Sequence, residues 1–87
     1  MSPNQREWIE EALRIAERAT KERRDPTDDE LSGLNRMIVR GVKRGGNEAY
    51  VELCLLGHAA ATLKLVCGSS AKGIAAAVAE ARRRARN

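Results

Sequence analysis

Apolar residues recur at helical spacing from the start of the chain. Trp8, Ile9, Ala12, Leu13, Ile15, Ala16 and Ala19 follow the i, i+3, i+4 rhythm of one helix face. Glu10, Arg14, Glu17, Arg18 and Lys21 take the other face, where Glu10–Arg14 and Glu17–Lys21 are favourable i,i+4 pairs. Ser2 suits a helix cap and Pro3 a first turn, and "RDPT" ends the pattern because proline disfavours helix in the residue before it. The pattern predicts a helix over about residues 4–24.

"TDDE" opens a second helix, with Thr27 and Glu30 spaced as a capping box and Asp28 and Asp29 at the positive end of the dipole. Lys43, Arg44 and "GG" close it, glycine supplying a left-handed stop. Asn47 is the expected cap of a third helix, and Ser69 or Ser70 that of an alanine-rich fourth. The predicted spans are about 28–44, 48–66 and 70–86, with connections of roughly three to five residues. No strand-like alternation appears. The expectation is a single all-α domain over 1–87, four antiparallel-type helices forming a small bundle or stacked hairpins.

The third of these segments, "ELCLLGHAAATLKLVC", is apolar almost all round, with only Glu52, His58, Thr62 and Lys64 interrupting it. Such a helix is normally buried on every side. The fourth segment offers only Ile74 and Val78 as large apolar residues to help cover it. Burying one Leu or Val is worth about 1.5–3 kcal/mol, so further cover is expected, and another copy of the chain is the simplest source. The expected contact set is Leu53, Leu55, Leu56, Ala59, Ala60, Leu63, Val66, Ile74, Ala77 and Val78. Gly33, Gly41, Gly57 and Gly73 all fall in helical pattern, where each costs about 1 kcal/mol against alanine. They point to backbones or a flat ring approaching closely. Asn35, on an otherwise apolar face, is a candidate for fixing register or bonding a helix end.

Composition narrows the chemistry. No run of about 18 apolar residues suggests a membrane span, and "MSPNQREW" lacks the order of a secretory signal, so a cytosolic or recombinant protein is expected. Trp8 and Tyr50 are the only aromatics, which removes the stacking platforms used to hold single-stranded nucleic acid. Arg82, Arg83, Arg84 and Arg86 form the one basic cluster; they suit a helix C-terminus, with non-specific phosphate contact as the alternative.

The rare residues are the candidates for catalysis and ligation. Cys54 and His58, four apart, are helical neighbours, but no acid or amide is placed to orient the imidazole. Ser69 or Ser70 would need His58 as base, and about eight helical residues separate them, roughly 12 Å. Zinc would require two copies to complete four ligands. Porphyrin ligation by His58 lacks an aromatic lining. Lys64 is more simply a snorkelling lysine than a Schiff-base amine. A Cys54–Cys67 disulfide is excluded on a continuous helix, since about 19.5 Å separates positions that must lie within about 7 Å.

The uniform caps and charge gradients of "SPNQREWIEEALRIAERA", "DPTDDEL" and "AAAVAEARRRARN" resemble computationally designed helical proteins, in style across all 87 residues. That resemblance implies idealised helices and a purpose such as assembly, binding or a ligand site. The two cysteines and the mid-helix glycines depart from it. The expected function is a designed structural protein that self-assembles into a ring or cage. No enzyme activity, cofactor, metal, membrane, nucleic acid or small-molecule substrate is expected. A designed enzyme or a porphyrin or metal binder centred on His58 is the alternative.

Overall fold

The computed structural model describes residues 3–86, with side chains from residue 6 to residue 85. It contains three α-helices and one 3-10 turn: α1 (Pro3–Lys21), α2 (Asp28–Cys67), the 3-10 turn (Gly68–Ala71) and α3 (Ile74–Arg86). The all-α expectation holds among the described residues, but the count of four helices does not. The second and third predicted helices are one 40-residue element. Only Gly46 leaves helical geometry there, at φ 67° and ψ −145°, so the two predicted helices join at a kink without a loop and Asn47, the expected cap, follows directly on that kink. A straight helix of this length would span about 60 Å, yet the longest dimension of the molecule is 37 Å. The bend at Gly46 therefore folds α2 back into an N-terminal arm (28–45) and a C-terminal arm (47–67).

The other ends shift for local reasons. Ser2, the expected first cap, lies outside the described residues. Ser69 and Ser70 sit within the 3-10 turn instead of capping the last helix, which begins after Gly73, φ +96°. Gly73 is thus a turn residue, with Leu31 packed against the side on which a Cβ would project.

The two arms are flanked by the shorter helices. Trp8 of α1 lies over Gly41, and Arg18 reaches Glu30, so α1 runs antiparallel to the N-terminal arm. Gly73 meets Leu31 and the Asn35 amide donates to the Ala77 carbonyl at 3.0 Å, so α3 runs parallel to that arm. Trp8, Ile15, Leu34, Ile38, Leu53, Leu56, Ile74 and Val78 fill the core, each less than 2% exposed. Asn35 is the one buried polar residue described, and both ends of its amide are used: its oxygen accepts from Arg84 Nη1 at 2.6 Å.

The predicted capping box is present. Thr27 N–H donates to Glu30 Oε1 at 2.8 Å and Glu30 N–H donates to Thr27 Oγ1 at 3.1 Å. Arg24 Nη1 adds a 2.8 Å ion pair to the same carboxylate. That guanidinium, then the Thr27 backbone, pulls the Glu30 carboxyl down to about 2. A carboxyl depressed by folding stabilises the protein above its unfolded value, ordinarily about 4.3. The contribution fades as pH falls from there through about 2. Glu30→Gln should cost about 1 kcal/mol at neutral pH through the weakened cap and ion pair. It should also flatten the loss of thermal stability over that acid range, read from melting temperature against pH.

Candidate functional site

Five large hydrophobic residues stay exposed among the described ones: Leu13, Val51, Leu55, Leu65 and Val66. Four of the five are on the C-terminal arm of α2. Leu65 and Val66 are 86% and 78% exposed, values usual for lysine rather than for aliphatic side chains. The arm's inward face is already occupied, since Leu53, Leu56 and Ala60 are buried in the chain's own core. Its outward face is a separate, uncovered surface.

The spacing of that face is informative. Val51, Leu55, His58, Thr62 and Leu65 follow one another at intervals of four, three, four and three. This is the 3.5-residue repeat by which one helix pairs with another. All five are exposed. From Val51 to Leu65 the seam runs about 21 Å. Its borders are small or apolar: Cys54 and Ala61 on one side, Ala59 and Val66 on the other. Two polar residues sit at its centre, with the Thr62 hydroxyl donating to the His58 carbonyl at 3.1 Å. Polar residues inside such a seam weaken pairing but restrict its register. Beside the seam, α1 and the C-terminal arm enclose an apolar groove of about 190 Å³, lined by Ile9, Leu13, Ala59, Leu63 and Val66 among others.

This changes the membership of the expected contact set. Leu53, Leu56, Ala60, Ile74 and Val78 are internal, at 0–2% exposure, and cannot meet a partner without unfolding. Ala59, Leu63 and Ala77 are half-buried, and Leu55 and Val66 are outward. Leu13, Val51 and Leu65 belong to the exposed set although the expected contact set omits them and the pattern placed Leu13 on the apolar face of the first helix. A helical wheel places residues on faces without showing which face the neighbouring helices take.

The chemical candidates are more dispersed. Cys54 and His58 line a groove of about 270 Å³ with Gly57, Ala75, Val78, Ala79 and Arg82, where an arginine and not a carboxylate stands nearby. Ser69 and Ser70 face Thr20, Arg23, Arg24 and Asp25 in a different groove. The apolar groove does not include His58. Cys54 and Cys67 are free thiols, and no cluster of three metal-ligating residues occurs among the described residues.

The absence of a spanning segment, expected from the sequence, needs correction. The segment from Asp28 to Ala71 does contain a window long and apolar enough to cross a membrane by length and composition, and only 17% of that window is buried. No protein-family model, curated protein or solved structure matches the chain.

Proposed function

We propose that the chain is a structural protein that self-associates into a symmetric homo-oligomer through the outer face of the C-terminal arm of α2. The observation that carries this is the four–three repeat of exposed residues from Val51 to Leu65, backed by 86% exposure of Leu65. A repeat of that period suits a second helix, and the copy of the chain that bears the same repeat is self-complementary about a two-fold axis. A standard contact of about 800 Å² per partner would cover about one seventh of the 5584 Å² surface. A bilayer is the poorer occupant, because immersing the arm would expose Leu53, Leu56 and Ala60 by stripping them from their own core. The resemblance to designed helical proteins accords with an assembly purpose.

Light scattering at micromolar concentration tests the proposal. The expected mass is at least twice the 9.5 kDa of one chain. Leu55→Glu with Leu65→Glu changes only exposed positions, so the variant should keep its helicity and become monomeric. Losing two leucines that the proposed contact would bury, at about 1.5–3 kcal/mol each, predicts at least a hundredfold weaker association. A wild-type chain that is monomeric throughout overturns the proposal. Monomer that floats with phosphatidylcholine vesicles would assign the same face to lipid.

A further inference from the structure

Charge is distributed unevenly along this chain. Residues 31–47 carry Arg36, Arg40, Lys43 and Arg44 with no acid. Residues 68–87 carry five bases and one acid, Glu80. These two stretches hold a net charge of plus eight, whereas the whole chain carries plus four. Sequence order separates them, but the fold sets α3 parallel to the N-terminal arm of α2, with Arg83 and Arg84 turned toward that arm and Arg82 toward the groove of Cys54 and His58.

On that arm Arg36, Arg40, Lys43 and Arg44 are all exposed, on the side opposite buried Leu34, Ile38 and Val42. Across an open groove of about 550 Å³, Arg83 and Arg84 of α3 face Arg36. The groove's one acid, Glu80, is paired with Arg83. Arg84 is held by the neutral amide oxygen of buried Asn35 at 2.6 Å, which fixes the guanidinium without cancelling its charge. Among the described residues, no carboxylate pairs with Arg36, Arg40, Arg44 or Arg84.

We infer that this face, formed by the N-terminal arm of α2 and by α3, binds the phosphate backbone of a nucleic acid duplex without reading its sequence. Arginine is the residue whose fork of donors matches phosphate oxygens. From Arg36 to Arg44 the arm spans about 12 Å, along which a duplex presents about seven phosphate charges. Trp8 is buried under α2, and half-buried Tyr50, beside Lys43 and Ala85, is the one aromatic near the face, so it lacks the row of rings on which successive single-stranded bases stack. It also carries none of the five exposed large hydrophobics, so it has nothing to insert between lipids. Binding uses a different surface from the self-association face and does not depend on it.

Fluorescence anisotropy with a labelled duplex of arbitrary sequence tests this across a salt series. Binding should appear at low salt, and the logarithm of affinity should fall linearly with the logarithm of salt concentration. Arg36→Gln with Arg40→Gln should reduce the magnitude of that slope by about two, one per lost phosphate contact. Arg6→Gln with Lys21→Gln removes the same net charge from α1 and should leave the slope unchanged. Circular dichroism checks that both variants fold, as all four positions are exposed. No binding at low salt overturns the inference, as does an equal loss in the α1 variant. Capture by phosphatidylserine vesicles without duplex binding also overturns it.

Discussion

Trp8→Ala is expected to lower the unfolding free energy by about 3–5 kcal/mol, the cost of removing a large aromatic from a packed core. Trp8 is 1% exposed and is the largest side chain in this interior. A domain of this size has about 4–13 kcal/mol of total stability, so the loss removes from about a quarter to all of it. The indole sits where α1 crosses α2, and Gly41 makes that approach possible. A Cβ at Gly41 would lie 2.7 Å from Trp8 Cζ2 and 3.2 Å from its Nε1. A buried ring has no room to withdraw, so Gly41→Ala should cost about 1–3 kcal/mol despite the better helix propensity of alanine. In the Trp8→Ala background the clash is gone, and Gly41→Ala should instead stabilise by about 1 kcal/mol. Urea denaturation of the four proteins measures this reversal of sign. Additive effects would show that the ring and the glycine do not touch.

The bend at Gly46 leads to the second large effect. At φ 67° and ψ −145° this residue occupies a region essentially closed to residues with a Cβ. A Cβ at this position would meet no atom within 4 Å, so the penalty for substitution is backbone strain and not crowding. Gly46→Val is expected to destabilise by about 1–3 kcal/mol. β-Branching removes the remaining tolerance for positive φ. Relief of that strain would straighten the helix and part the two arms, exposing Leu34, Ile38, Leu53 and Leu56 together. Aggregation or dye binding should therefore accompany the loss of stability. Gly33→Ala is the matched control: it is helical with open space around it, so it should gain about 1 kcal/mol. Equal behaviour of the two variants would mean that Gly46 is not the hinge.

The glycines show how far one-dimensional pattern reaches. All four singled out by their helical context read alike in sequence, yet each has a different surrounding. Gly41 receives a ring from its own chain, Gly33 faces open space, Gly57 has Arg82 at an ordinary 3.7 Å, and Gly73 is a turn. Propensity registers that glycine is costly in a helix, but not what compensates for the cost. The exposed apolar face of the C-terminal arm follows the same logic. Excess apolar surface on the third predicted segment is legible, because a wheel needs only the residue order. Which part of the circumference remains outward depends on where α1 and α3 dock.

The amino-acid order by itself determined the helical character, the turn after α1 and the Thr27–Glu30 capping box, because each rests on contacts within a few residues. It also determined that the segment around His58 carries more apolar surface than its own chain can bury. The tertiary structure decided that two predicted helices are one bent helix, since a single glycine can reverse the chain without a loop. It decided as well that Val51, Leu55 and Leu65, not Leu53 and Leu56, face outward. Two basic stretches far apart in the chain, including Arg36 and Arg84, became one surface in the same way. Those outcomes depend on the packing of distant segments, and packing is the one relation that the linear order of residues does not contain.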